Sequence, residues 1–169
     1  ADCDVVFFCT PHGVAQSTVP ALLELGVRVI DLSADFRIRD VSIWESWYGM
    51  SHSASNFVSR AVYGLPEFNR EKIASADLIA CPGCYPTSVE LGLMPLLKND
   101  SLQLSGIIAN VASGVSGAGR TLSTDKLFSE INDSFRAYSV SGHRHQPEIE
   151  QILSEMAGTE VDITFVPHL

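Results

Sequence analysis

Residues 4–33 read DVVFFCTPHGVAQSTVPALLELGVRVIDLS, and their pattern decides the fold. Val5 to Cys9 is a continuous apolar run, as expected of a short strand buried on both faces. The stretch TPHG breaks it. Beyond the break, Val14, Val19, Leu22, Leu23 and Leu25 fall on or near one side of a helix, and Gly26 supplies a C-terminal stop. Pro20 lies inside this pattern, which predicts that the helix begins or kinks near it. Val27 to Leu32 is a second buried strand. Strand, helix and strand in that order predict an α/β fold, with a parallel sheet and a right-handed crossover.

Outward from this unit the same alternation continues. Residues 40–70 are mixed, with Trp44, Trp47 and Tyr48 as core or interface anchors. Asp77 to Ala80 reads as a third strand, Pro86 to Leu97 as a helix, and Leu104 to Ala112 as a further strand. A loop then leads into a helix with Pro147 in its first turn, Glu148 and Glu150 at its positive end, and Gly158 as its stop. Ile149, Ile152, Leu153 and Met156 form its core stripe. The closing stretch DITFVPHL reads as a strand. The chain lacks an initiator Met and both ends fall close to strands, so it reads as an internal piece of a longer protein, and a targeting signal cannot be judged from it.

Composition narrows the functional classes. The chain has 169 residues, 46% of them hydrophobic, and a net charge of −9. Its eleven Lys and Arg residues are scattered, which argues against nucleic acid as a partner. No apolar run spans a bilayer and no basic amphipathic helix is evident, so a membrane is not expected either. Cys3, Cys9, Cys81 and Cys84 are too few for a disulfide scaffold, and reduced thiols in a cytoplasmic compartment fit better.

Chemistry concentrates in ACPGCYPTSVE, residues 80–90. Cys81 and Cys84 match the C-x-x-C spacing of a thioredoxin-like redox pair. Zinc would need a second ligand pair, and none is evident, so no metal is assigned. A further reading separates the two thiols. Cys81 continues an apolar strand as a buried, inert group. Cys84 follows Gly83 and precedes Pro86, which places its sulfur near the free N–H groups of a helix start. Those groups favour the thiolate and would stabilise an oxyanion formed on attack at a carbonyl. A structural cysteine in a tight turn is as compatible with the local residues as a nucleophile.

Three other stretches offer functional groups. HRHQPE presents His143, His145 and Glu148: an imidazole to move the protons a thiol nucleophile needs and a carboxylate to orient it, or two surface histidines ahead of a helix. GVSGAGRT, residues 114–121, nearly matches a phosphate loop, but Arg120 replaces the lysine, so an ordinary glycine loop or one that approaches a flat cofactor is the better reading. DLSADFR follows a strand end, where open α/β sheets bind ligands. Arg37 there clamps an anion or pairs with an acid such as Asp35.

Taken together and in order, TPHGVA, VIDLSADFR, VYGLPEFNREKI, PGCYPTS, SGVSGAGR and AYSVSGHRHQPEI resemble the N-acetyl-gamma-glutamyl-phosphate reductase family, NADP-dependent enzymes of arginine biosynthesis. The resemblance covers almost the whole chain. It departs at position 81, where many relatives carry Asn, so Cys81 is read as tolerated variation. The resemblance implies the remainder of a Rossmann-type parallel sheet, residues 1–83, as the C-terminal part of the NADP-binding domain. Residues 84–169 then begin a glyceraldehyde-3-phosphate-dehydrogenase-like α/β catalytic domain. It implies Cys84 as catalytic nucleophile, His145 as acid/base, and His143 and Glu148 in support. Thr10, Pro11, His12 and Gly13, with Ser113, Gly114, Gly117 and Gly119, fall where the family approaches NADP. Its main glycine-rich dinucleotide loop is absent from this chain. Arg37, Arg120 and Arg144 are candidates for binding the anionic substrate, N-acetyl-gamma-glutamyl phosphate. The implied reaction is reduction of that acyl phosphate through a Cys84 thioester, with phosphate and the 5-semialdehyde as products. A homo-oligomer is expected, and the isolated piece is expected to be inactive. The alternatives are an aspartate-semialdehyde-dehydrogenase-like enzyme and a non-catalytic thiol domain using Cys81 and Cys84.

Overall fold

A computed structural model of the chain describes residues 2–97 and 103–169. The chain divides into two compact units, Ala1–Gly83 and Cys84–Leu169.

In the first unit the predicted strand–helix–strand is present: β1 (Val5–Phe8), α1 (Val14–Glu24) and β2 (Arg28–Asp31). They are followed by α2 (Val41–Tyr48), α3 (Ser55–Val58), β3 (Val62–Tyr63), α4 (Pro66–Ser75) and β4 (Leu78–Ala80). The sheet is wholly parallel, in the order β1-β2-β4-β3. Its register puts Phe8 beside Asp31 and Asp31 beside Ala80, so the carboxyl ends of three strands lie in a row.

Several details of this unit differ from the sequence reading. β1 is not buried on both faces, because it is an outer strand of the sheet. Val6 and Phe8 turn to the core, while Phe7 remains 64% exposed. On α1 the buried stripe is Ala15, Val19 and Leu23, spaced at i, i+4 and i+8; Val14 and Leu25 are exposed. Pro20 lies inside an uninterrupted helix. Gly26 (φ +73°) stops it in the left-handed conformation the sequence predicts.

α2 is capped by Asp40, whose carboxylate accepts from the amides of Ser42 and Ile43, and ends at Gly49 in the left-handed region. Trp44 is fully buried and its indole N–H donates to the Ala34 carbonyl at 2.8 Å. Trp47 is an exposed residue. Gly64 marks the tightest approach in the sheet: a Cβ there would stand 2.8 Å from Ile79 Cγ2 and 3.2 Å from the Ala80 carbonyl oxygen.

The second unit holds α5 (Cys84–Leu97), β5 (Ile107–Ala112), α6 (Phe128–Ile131), α7 (Gln146–Ala157) and β6 (Ile163–His168). β5 and β6 pair in parallel from Ile107–Ile163 to Ala112–His168. α5 and α7 share one core with the strands, built from Tyr85, Val89, Ile149, Leu153, Val161, Ile163 and Phe165. Ile149, Ile152 and Leu153 are fully buried, as the spacing predicts, and truncating one of them to Ala would cost about 2–5 kcal/mol. α5 starts at Cys84, two residues earlier than Pro86 suggests. Residues 136–138 add an antiparallel edge to β6: Arg136 and Leu169 exchange two N–H···O bonds of 2.9 Å, and Tyr138 N donates to the Pro167 carbonyl.

Candidate active site

The first residue of α5 and the loop leading into α7 border one hollow. Its volume is about 340 Å³, and Cys84, Tyr85, Tyr138, His143, Arg144 and His145 line it. Cys84 is exposed and occupies the first helical position, where the α5 amides have no carbonyl partner within the helix. His145 is the N-cap residue of α7 and is almost wholly buried.

Tyr85, next to the cysteine, organises the surroundings. Its ring meets His143, His145 and Phe165 edge-on, with centroids 5.7, 5.9 and 5.4 Å away. Its hydroxyl lies 2.8 Å from that of Tyr138. Burial first, and the Tyr85 hydrogen bond second, push the Tyr138 phenol well above its usual range. The Tyr138 phenol is therefore uncharged at neutral pH.

His143 is defined by its neighbours. Its Nδ1 accepts from the His145 amide at 3.1 Å, which places the ring proton of the neutral imidazole on Nε2. Burial, and then the charge of Arg144, hold its pKa below the ordinary imidazole value. His143 is thus a neutral N–H donor at the hollow, not a cation. Glu148 is fully buried in the first turn of α7 and is not in the lining of the hollow.

The hollow also contains groups the sequence reading did not single out: Asp125, Lys126, Arg136 and Tyr138. Ser113 and Gly117 of the glycine loop line it as well. Gly114 precedes the turn Val115–Ala118 and is not in its lining, while Gly119 and Arg120 border a separate shallow hollow with Leu122 and Leu127.

In the first unit, the TPHG stretch leads into α1. The amide of Gly13 (φ +89°) donates to both Asp35 oxygens, at 2.9 and 3.0 Å, and the Gln16 amide donates to Asp35 Oδ2 at 3.1 Å. The N-terminus of α1 is thereby occupied by a carboxylate from within the chain. His12 Nδ1 accepts from the Ala34 amide, and its ring packs edge-on against Tyr48. The Thr10 hydroxyl oxygen is buried and makes no hydrogen bond, and Pro11 accepts the Val14 amide at its carbonyl. Arg37 is buried; its Nε donates to the Cys81 carbonyl at 2.6 Å and its Nη2 to the Leu32 carbonyl at 2.8 Å. It braces the ends of β2 and β4.

All four cysteines carry free thiols. Cys81 is half-buried, and burial pushes its thiol above the usual value. Among the described residues no three His, Cys, Asp or Glu side chains converge as a metal site. No helix among them is long and apolar enough to cross a membrane.

A parallel α/β unit followed by a second unit that begins at an exposed cysteine defines a class, and comparison with known proteins identifies it. Residues 84–169 match the semialdehyde dehydrogenase dimerisation domain, and residues 1–76 match the NAD binding domain of the same family. The chain belongs to the semialdehyde dehydrogenase family. It is 60% identical to the N-acetyl-gamma-glutamyl-phosphate reductases of Saccharophagus degradans and Cellvibrio japonicus, in each case over 99% of this chain and 49% of the relative. The chain thus spans about half the length of the curated relatives it matches. Its fold is shared with aspartate semialdehyde dehydrogenase II of Vibrio cholerae, at a TM-score of 0.62 and 18% identity, over 97% of this chain and 50% of that one.

Proposed function

We propose that the protein containing this chain is an NADP-dependent N-acetyl-gamma-glutamyl-phosphate reductase. It would reduce the acyl phosphate to N-acetylglutamate 5-semialdehyde and phosphate in arginine biosynthesis, in the cytoplasm. The observation that carries the proposal is an exposed Cys84 on the first turn of α5, sharing one hollow with His143 and His145. The relatives' names agree with it. On this reading residues 1–83 complete the cofactor domain and residues 84–169 begin the catalytic domain. Residues 1–169 alone have no turnover, and the working enzyme is a homo-oligomer, in keeping with the dimerisation-domain match.

The mechanism follows from the groups at hand. The Cys84 thiolate attacks the carbonyl carbon of the acyl phosphate, and the carbon–oxygen bond to phosphate breaks, with phosphate leaving on the electron pair. The α5 amides stabilise the oxyanion on the way. The product is a thioester on Cys84, which holds the carbonyl in place, so the next step is effectively unimolecular. A nicotinamide bound here would supply the hydride that this thioester carbonyl accepts. His145 takes the thiol proton at the start and, as an imidazolium, hydrogen-bonds the oxyanion left by hydride addition; when that oxygen re-forms its carbonyl, the carbon–sulfur bond breaks with its electron pair on Cys84, and the thiolate takes the proton back. His143, neutral and fixed with its proton on Nε2, serves as a hydrogen-bond donor, and Glu148 stiffens the start of α7 from within.

TPHG and SGVSGAGR are the cofactor-facing stretches on this reading. The amides of Gly13 and Gln16, already held by Asp35, do not suit a phosphate. The unbonded Thr10 hydroxyl suits a polar uncharged part of the cofactor, and the main chain at Ser113 and Gly117 permits close approach. Arg144 lines the catalytic hollow and remains a candidate for the substrate anion; Arg37 and Arg120 keep the places described above.

The test uses the full-length parent. NADPH formation from N-acetylglutamate semialdehyde and NADP should require inorganic phosphate and should disappear in Cys84→Ser. Near-normal turnover in that variant, or activity on aspartate semialdehyde in preference, would reject the assignment.

A further inference from the structure

We propose that Lys126 and Arg136 form an oxyanion subsite of the Cys84 hollow. It would take an ionised group of the substrate, carboxylate or phosphoryl; the inference rests on the reductase reading above. Both side chains line that hollow, together with Arg144 and Asp125. They come from separate stretches that main-chain pairing brings together. Arg136 is fixed by its two hydrogen bonds with Leu169 at the end of β6. Its Nη2 donates to the Asp125 carbonyl at 2.8 Å, which places the guanidinium beside the turn Thr124–Lys126. That contact uses one of the five N–H donors a guanidinium carries.

The charge balance points the same way. Three cations, Lys126, Arg136 and Arg144, line the hollow with one carboxylate, that of Asp125, which itself accepts the Ser123 hydroxyl. His143 is held neutral and adds no charge. A local positive surplus on a chain of net charge −9 is what an anionic substrate needs in order to approach. An ordinary solvated face would not gather its cations around a concavity of about 340 Å³ that also holds an exposed thiol at a helix start. A planar guanidinium and an ammonium bordering one hollow suit two oxygens of one oxyanion.

The experiment uses the full-length enzyme and two readouts. In the first, Cys84 alkylation by iodoacetamide is followed by mass spectrometry, with inorganic phosphate or N-acetylglutamate as protectant. Either should slow alkylation of the wild type. In Lys126→Ala/Arg136→Ala the concentration needed should rise about tenfold, a change worth about 1.4 kcal/mol. A shift for phosphate alone assigns the subsite to the phosphoryl group, and a shift for N-acetylglutamate alone assigns it to a carboxylate. In the second readout, the matching KM rises while kcat stays within about threefold, and the charge-keeping pair Lys126→Arg/Arg136→Lys restores most of it. If the alanine pair does not fold, Lys126→Gln/Arg136→Gln replaces it. Unchanged protection in the variant, or no protection of the wild type by either anion, overturns the subsite. Phosphate-independent turnover by the wild type rejects the reductase reading instead, and the alkylation result then stands by itself.

Discussion

Residues 31–37 bury two carboxylates and a guanidinium; the hollow at the start of α5 is lined by a thiol, two imidazoles, two phenols and three cations. In the first region the polar atoms meet mostly main chain. Asp35 takes the amides of Gly13 and Gln16, Asp31 takes the amide and hydroxyl of Ser33, and Arg37 donates to two carbonyls. In the second, the polar atoms border open space of molecular size. The same residue types thus brace strand ends in one place and line an open hollow in the other. What separates the roles is where the hydrogen bonds go.

The largest effect expected from this contrast is at Cys84. Replacing it with Ser in the full-length enzyme should lower turnover by about a thousandfold or more, while stability changes by no more than about 0.5 kcal/mol. Steady-state kinetics and urea denaturation check the two halves. A comparable loss of stability would make Cys84 a structural group and break the comparison.

Next in size is the buried carboxylate of Asp31. Desolvation raises its pKa to about 6, opposed by its Ser33 hydrogen bonds and assisted by the nearby charge of Asp35. The folded state therefore binds this proton more tightly than the unfolded chain does. Stability from this group is fully present below about pH 4 and is lost as the pH rises through about 6; the whole swing is roughly 3 kcal/mol. Denaturation curves collected across that window should show the slope in the wild type, and Asp31→Asn should flatten it. An unchanged slope in the variant would place the proton elsewhere.

Much of this was legible beforehand, and the exceptions have physical causes. The strand–helix–strand of residues 4–33 announces itself through apolar runs and Gly26, and the α7 stripe through its 3.6-residue period. α2 had signals too, Asp40 as cap and Gly49 as stop, masked by the aromatic cluster between them. β3 is two residues long and carries no periodicity; the pairing of Gly64 with Ala80 makes it a strand. Cys84, His143 and His145 stood out because each sits in a compact motif. Lys126, Arg136 and Tyr138 did not, since residues 136–138 reach the hollow by pairing with 167–169, a long-range contact with no local signature. At Arg37 an anion clamp and pairing with an acid both stay open in the sequence, because it shows the guanidinium but not the Cys81 and Leu32 carbonyls that it meets.

A smaller effect is expected at Tyr138. Tyr138→Phe removes the hydroxyl that meets Tyr85 at 2.8 Å while keeping the ring. Loss of one partly buried hydrogen bond is worth about 1 kcal/mol. Because Tyr85 packs against both imidazoles, on the proposed function part of that should appear as a several-fold fall in kcat, with the KM for the nicotinamide cofactor unchanged. A loss of stability with kcat untouched would make the pair a brace of the same kind as Asp35.

The smallest effect belongs to Cys81, and it tests the comparison most directly because it lies three residues from Cys84 in the sequence. Cys81 is half-buried, and burial raises its thiol, so at neutral pH it is protonated and a poor nucleophile. Its main-chain atoms, not its sulfur, have the structural part: the amide donates to the Asp31 carbonyl and the carbonyl accepts from Arg37. Alanine keeps both. Cys81→Ala should therefore leave phosphate-dependent turnover within about twofold of wild type and cost no more than about 1 kcal/mol of stability. A large loss of turnover, together with a reversible disulfide joining Cys81 and Cys84, would show that the two thiols act as a pair, and the boundary drawn between the bracing region and the reactive one would have to move.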